Sequence, residues 1–131
     1  MTTPIIPFSD FEKLDLRVGK ILEIEDIDRA DKLWKLTVDL GKEIGKRTIC
    51  AGIKKHYSKD ELRNKKIIVI TNLAPRKMKG IESQGMLLAS VSDDESTPQA
   101  YPEKSSKKIF TKGRVILISP EKDIEVGSKV R

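Results

Sequence analysis

The sequence predicts a mainly β fold, and three observations support this class. Several segments of the 131-residue chain alternate apolar and polar side chains with the two-residue period of a strand. The clearest helix-start signal, at residues 58–61, introduces only a short helix. The length suits a single core, so we predict one domain over residues 1–131, with its body at about 8–92 and a C-terminal extension at 93–131.

The first strand is predicted from strict alternation over residues 16–24. This pattern places Ile24 on the same face as Leu16 and opposite to Ile21. Gly19 lies inside the strand, where it permits a bend or a bulge of the kind that a strongly coiled strand requires. We therefore expect a long, curved first strand.

The next elements follow from turn residues and from a change of period. Residues 26–32 are polar and predict a turn, and residues 34–40 and 47–52 predict the second and third strands. Ser58 and Glu61 form a capping box, which predicts a short helix that stops near Asn64.

Two further strands flank a polar loop. Residues 66–73 contain a β-branched run that indicates a strand covered on both faces, residues 75–85 predict a loop, and residues 86–90 predict the fifth strand. Three strands, a short helix and two strands is the element order of the five-stranded OB-fold barrel, with the helix between strands 3 and 4. A small open β-sandwich would give similar spacing.

The last quarter of the chain differs in composition. Residues 92–112 are rich in Ser, Asp, Glu, Lys and Pro, which predicts a mobile loop or linker. Residues 113–118 regain strand character, and Gly127 suits a turn before the end of the chain. This C-terminal β extension is too small for its own core, so we expect it to pack on the barrel or on another subunit.

The sequence offers few residues or motifs suited to catalysis or metal binding. Cys50 and His56 are the sole residues of their types, whereas a zinc site needs three or four such ligands. The sequence has no glycine-rich phosphate loop, and Lys77 and Lys79 only superficially match the catalytic Lys-Met-Ser-Lys-Ser loop of aminoacyl-tRNA synthetases. We predict a non-enzyme with no metal and no cofactor.

Location is predicted from cysteine usage and hydropathy. A single cysteine forms no internal disulfide and suits a reducing compartment. No apolar run reaches the roughly 18–20 residues of a membrane span, and the N-terminus lacks the pattern of a signal peptide. We therefore expect a cytoplasmic protein with no membrane partner.

Positive charge is concentrated in the middle of the chain. Residues 42–79 carry 12 basic and 3 acidic side chains, whereas the whole chain has a net charge of +6. Such a block attracts polyanions, although a solvated lysine-rich surface of the kind found in thermophile proteins is an equally simple interpretation.

The segment at residues 72–86 holds a dense cluster of basic side chains. Arg76, Lys77 and Lys79 place three cations within four positions, a repulsion that phosphate groups would relieve. Met86 offers a polarizable contact for a base. The alternative is a solvated lysine loop without a ligand.

Five motifs resemble the tRNA-binding domain shared by the C-terminal part of methionyl-tRNA synthetases, free-standing tRNA-binding homodimers, the CsaA chaperone and the endothelial-monocyte-activating cytokine. They are FEKLDLRVGKI at 11–21, ADKL at 30–33, VDLG at 38–41, NL at 72–73 and SQGMLL at 83–88. The chain departs from the family at Asp28-Arg29, where the family usually has His-Pro, and at Ala51-Gly52, where it commonly has Ser-Gly.

The resemblance implies an OB barrel that recognises the outer corner of the tRNA by its shape and backbone. It also implies an RNA contact at the family's positions, while Arg17 could instead orient a strand by pairing with a carboxylate and Lys79 is supported by its charge alone. The candidate contact residues are Lys32, Asn72, Arg76, Lys77, Ser83, Met86, Lys79 and Arg17.

The resemblance implies tRNA and a second copy of the chain as partners, with methionyl-tRNA synthetase as a further candidate partner. Free-standing members resemble this chain in having a short C-terminal extension that forms a homodimer, so we expect residues 113–130 near that interface. A CsaA-like chaperone that binds unfolded polypeptides is the alternative function. General single-strand binding is a third, although it normally uses stacked aromatic residues, which make up only 5% of this chain.

Overall fold

The computed structural model describes residues 3–92 and 113–131, and the mainly β prediction is confirmed for them. The linker predicted for residues 92–112 lies, apart from Ser92, outside the described residues. The elements in chain order are α1 (Phe8–Phe11), β1 (Leu16–Ile27), β2 (Ala30–Asp39), β3 (Lys46–Ala51), α2 (Lys59–Leu62), β4 (Lys66–Ile70), β5 (Arg76–Met78), β6 (Ile81–Ser83), β7 (Met86–Leu87), β8 (Ala89–Ser92), β9 (Arg114–Leu117) and β10 (Lys129–Val130).

The main sheet is antiparallel and runs in the order β3-β2-β1-β4-β7, with β10 added beside the start of β1. β5 pairs with β6, and β8 pairs with β9, as two separate ribbons. One aliphatic core joins the sheet to α2, and its largest fully buried side chains are Ile21, Leu36, Leu40, Ile49, Leu62, Ile67, Val38 and Val69.

The predicted five-stranded barrel is not closed by strand pairing among the described residues. The end strands β3 and β7 have no shared ladder. The edge of β3 is instead bonded to the residues just before β7: the Gln84 amide donates to the Thr48 carbonyl at 2.8 Å, and the Cys50 amide donates to the Ser83 hydroxyl at 2.9 Å. At these two positions the β3 edge is therefore hydrogen-bonded to one side chain and one backbone amide, and Gly85, with φ of +133°, lies between these partners and β7.

The predicted face of Ile24 was wrong. The register between β1 and β2 shifts between Ile21 and Glu23, which moves Ile24 to the face of Ile21 in the main core. Leu16 stays on the opposite face in a second cluster. The bulge does not lie at Gly19, whose absent side chain is required because a Cβ there would meet Val38 at 2.7 Å.

The turn predicted at residues 26–32 is shorter than expected. β1 continues to Ile27 and β2 begins at Ala30, so only Asp28 and Arg29 connect them. Lys32 therefore lies on a strand near the hairpin tip rather than in a loop.

The capping box and the doubly covered strand are confirmed. The Glu61 amide donates to the Ser58 hydroxyl at 3.2 Å, and the Ser58 amide donates to the Glu61 carboxylate at 2.7 Å. In β4, Ile67 packs in the main core and Ile68 in the second cluster. This two-sided burial explains the unbroken apolar run.

The C-terminal extension packs on the body of the fold. Leu117 is buried in the main core, and its amide donates to the Tyr57 hydroxyl at 3.0 Å. Gly127, with φ of +89°, lies against the backbone of Leu40 and Gly41 and leads into β10. No helix among the described residues is long and apolar enough to cross a membrane.

Candidate nucleic-acid interface

The segment predicted as a loop at residues 75–85 is a β-hairpin. β5 and β6 pair antiparallel, and Lys79 and Gly80 connect them with φ of +54° and +83°. Two successive positive φ values are typical of the tight two-residue turn whose backbone twist matches that of the paired strands. The basic hairpin, defined as residues 76–83, therefore holds Arg76 and Lys77 on a strand, where their backbone is fixed, rather than on a free loop.

The basic hairpin packs against the tip of the β1–β2 hairpin. Met78 and Ile81 contact a buried cluster of Ile27, Ala30 and Cys50. Lys32, two residues beyond Ala30 on β2, is exposed at this end of the fold. The structure thus brings Lys32 and the basic hairpin, which are about 45–50 residues apart in the chain, to one region.

A cleft of about 210 Å³ opens beside the basic hairpin. Its walls come from the end of β3, the link between β4 and β5, the basic hairpin and β7. The residues that line it are Cys50, Ala51, Gly52, Leu73, Ala74, Arg76, Met78, Ser83, Gly85, Met86 and Leu87. Met86 is 43% exposed, so a large apolar side chain borders this cleft in the free protein.

Asn72 fixes the start of the connection to the basic hairpin. Its side-chain oxygen accepts from the Asp15 amide at 2.8 Å, and its side-chain nitrogen donates to the Lys13 carbonyl at 2.7 Å. The preceding Thr71 donates its amide and its hydroxyl to the Asp15 carbonyl. Asn72 is exposed, but its amide group is already engaged within the protein.

Ser83 is buried at 4% exposure. Its hydroxyl accepts from the Cys50 amide at 2.9 Å and donates to the Gly85 carbonyl at 3.3 Å. Through these two hydrogen bonds Ser83 joins two walls of the cleft. Burial raises the pKa of the neighbouring Cys50 thiol, so this thiol stays protonated at neutral pH.

Arg17 is buried at 6% exposure and forms a network of charged groups. It contacts the Asp15 and Glu43 carboxylates, each at 2.8 Å, and the Gly127 carbonyl at 3.3 Å. Hydrogen bonds from Arg17 lower the pKa of Asp15 and of Glu43, and these carboxylates raise the pKa of Arg17. This geometry favours the strand-orienting role of Arg17 over a surface contact.

Arg47 is a positioning residue that the sequence did not reveal. Its guanidinium donates to the Thr71 carbonyl at 2.6 Å and to the Gln84 carbonyl at 3.4 Å, one on each side of the basic hairpin. These partners are 24 and 37 residues away, so no local pattern points to them. Arg47 therefore holds the segments before and after the basic hairpin, at Thr71 and at Gln84, to β3.

Replacing Arg47 with methionine is expected to loosen the basic hairpin. The variant loses charge-assisted hydrogen bonds to two carbonyls, so the free energy of unfolding falls by about 1–2 kcal/mol and the hairpin amides exchange about tenfold faster. Hydrogen exchange followed by NMR measures both effects. Lys46→Met, on the neighbouring exposed position of β3, is the matched control. Equal exchange rates in the two variants would show that Arg47 does not hold the hairpin.

The eight predicted contact residues divide into two groups. Lys32, Arg76, Lys77, Lys79 and Met86 present exposed side chains at or beside the basic hairpin. Asn72, Ser83 and Arg17 form hydrogen bonds within the protein through their polar groups. A mainly β domain with a cation-rich hairpin beside an apolar cleft belongs to the class of small β domains suited to binding polyanions.

The comparisons with known proteins narrow this class. Residues 16–129 match the family described as "Putative tRNA binding domain", and the chain belongs to that family. It is 47% identical over 126 residues to a methionine–tRNA ligase of Pyrococcus horikoshii, and the match covers 96% of this chain but only 14% of that protein.

Two solved structures resemble the chain over nearly its whole length. A MetRS-related protein from Pyrococcus horikoshii aligns with a TM-score of 0.76 at 33% identity, covering 98% of this chain and 100% of that one. The CsaA chaperone protein from Picrophilus torridus aligns with a TM-score of 0.76 at 32% identity, covering 97% of this chain and 100% of that one.

Proposed function

We propose that this chain is a single, non-catalytic tRNA-binding domain that recognises the shape and backbone of the outer corner of tRNA. The observation that carries the proposal is the basic hairpin, which presents Arg76, Lys77 and Lys79 on a fixed backbone beside an apolar cleft. Membership of the tRNA-binding family supports the same ligand. Whatever longer protein or assembly this domain serves, its own contribution is affinity for tRNA.

The proposed contacts follow the exposure of each side chain. Lys32, Arg76, Lys77 and Lys79 neutralise phosphates, and Met86 touches a base. We assign Asn72, Ser83 and Arg17 to holding the interface in shape, because their polar groups already have protein partners.

We also propose a homodimer. Ile5, Ile6 and Phe8 are 97%, 60% and 68% exposed near the N-terminus, and Ile116 and Ile124 are exposed in the C-terminal extension. Ile5, Ile6 and Phe8 lie within four positions, and contiguous exposed apolar surface of this kind marks protein contacts. A two-fold pair would cover them and present two basic hairpins. A role as a subunit or accessory factor of methionyl-tRNA synthetase, in the cytoplasm, fits the relatives' names.

Analytical ultracentrifugation with tRNA, repeated over a range of salt concentrations, tests the binding. The logarithm of the association constant should fall against the logarithm of salt with a slope of about −0.7 to −0.9 per phosphate contacted, and different tRNA species should bind similarly. Affinity that is insensitive to salt would contradict the proposal. The same runs without tRNA give the mass of the free protein, expected at about twice 14.8 kDa.

Two observations favour a second candidate function. The likeness to the CsaA chaperone protein and the exposed apolar side chains fit a chaperone that binds unfolded polypeptides. Suppression of the aggregation of a denatured client, undiminished by added tRNA, would support this alternative. A pull-down from native lysate, scored for tRNA and for methionyl-tRNA synthetase together, separates the two roles.

A further inference from the structure

We propose that the cleft beside the basic hairpin takes one unstacked base of the bound RNA, with Met78 and Met86 against the base and Arg76 at the rim. This inference rests on the proposed tRNA-binding function and adds a base-binding site to it. The RNA would then be held by one looped-out nucleotide as well as by its backbone.

Size and lining are the first argument. The cleft measures about 210 Å³, and small residues such as Ala51, Gly52 and Ala74 leave its walls open. Gly85 cannot carry a side chain, because its φ is +133° and a Cβ would lie 3.0 Å from the Ile70 carbonyl oxygen. Leu73 and Met86 border the cleft at 40% and 43% exposure, so apolar surface is available for a flat ligand to cover.

Charge is the second argument, because it identifies the occupant. Arg76 lines the cleft, Lys77 and Lys79 follow it on the same hairpin, and no acidic side chain is among the described residues that line it. A nucleotide joins a flat, largely apolar base to a phosphate, which matches a largely apolar cleft with Arg76 in its lining and two lysines further along the same hairpin. Bases of RNA loops are commonly splayed out and stacked on aromatic rings or on arginine planes. Here the two polarizable methionines offer the surface for the base, and Arg76 at the rim neutralises its phosphate.

Rigidity is the third argument. The hydrogen bond from the Cys50 amide to the Ser83 hydroxyl joins two residues that both line the cleft. Arg47 holds the carbonyls of Thr71 and Gln84, on either side of the basic hairpin. The cleft is therefore formed before the ligand arrives, which lowers the entropy lost on binding.

Methionine methyl NMR tests the site directly. The chain has three methionines, Met1, Met78 and Met86, and two of them line the cleft. The full chain with labelled methionine methyl groups is titrated with a short oligoadenylate and with an abasic ribose-phosphate oligomer of the same length. Ring currents from a bound base should move the Met78 and Met86 signals upfield with oligoadenylate only. Equal shifts with both oligomers, or no shift with either, would overturn the inference.

Met86→Ala gives an independent affinity test. It should weaken oligoadenylate binding by about three- to tenfold, with the salt slope and the affinity for the abasic oligomer unchanged. Leu14→Ala is the matched control, because Leu14 is 42% exposed but does not line the cleft. Both variants change an exposed side chain and should fold normally.

The remaining outcomes separate this inference from the function on which it rests. If wild-type protein binds tRNA but Met86→Ala has no effect, the base site is wrong and tRNA binding stands. If wild-type protein does not bind tRNA, both fail. An uncharged apolar peptide that moves the two methyl signals and is not displaced by oligoadenylate would assign the cleft to polypeptide and overturn the inference.

Discussion

Reversing the charges of Arg76 and Lys77 together, in R76E/K77E, is expected to weaken tRNA binding by about a hundredfold or more at about 0.1 M salt. Both side chains are exposed on β5, where the hairpin fixes their backbone. The change removes two phosphate contacts and adds two repulsive carboxylates. The loss should be similar for different tRNA species, because phosphate contacts carry no sequence information.

Salt dependence gives the sharper measurement for this variant. Two lost contacts should reduce the steepness of the log–log salt slope by about 1.4 to 1.8. The control is K42E/R63E, which makes the same change of net charge at two exposed positions outside the basic hairpin and its cleft. If the two double variants weaken binding equally, only the overall charge matters, and the basic hairpin is not the binding site.

Replacing Arg17 with methionine is expected to lower the free energy of unfolding by about 2–3 kcal/mol. The variant leaves the Asp15 and Glu43 carboxylates without their buried partner and leaves the Gly127 carbonyl without its donor. The cost is below that of a fully buried pair, because the Asp15 and Glu43 side chains are 33% and 74% exposed to water. Denaturant unfolding at neutral pH measures it.

The effect of Arg17→Met should depend on pH with a definite sign. Arg17 lowers the pKa of Asp15 and of Glu43 in the folded protein, so its stabilisation is complete above their unfolded pKa values of about 4 and is lost as the pH falls through the folded values. The two proteins should therefore converge in stability in acid.

Lys129→Met is the control for Arg17→Met. Lys129 is a nearby cation that also lowers the pKa of Asp15, but it is exposed, so its loss should change stability by less than about 0.5 kcal/mol. Arg17→Met should also leave the salt slope of tRNA binding unchanged. A slope reduced by about one phosphate contact would show that Arg17 touches RNA after all.

Short sequence patterns correctly predicted the elements that depend only on residues close together in the chain. Ser58 and Glu61 lie three positions apart, so their capping box could be read directly from the chain. The apolar run of β4 likewise predicted a strand that is covered on both faces. By contrast, a bulge near Leu22 reversed the face predicted for Ile24, because the register of one strand depends on its partner.

The sequence by itself determined the mainly β class, the order of the elements and the concentration of cations at Arg76, Lys77 and Lys79, since these depend on neighbouring residues and on period. Only the tertiary structure decided that the basic loop is a hairpin, that an apolar cleft lies beside it, and that Asn72, Ser83, Arg17 and Arg47 act as supports. Their hydrogen-bond partners lie far away in the chain, such as Asp15 for Asn72 and Thr71 for Arg47. A side chain's role depends on the partner that folding brings to it, and residue type alone does not specify that partner.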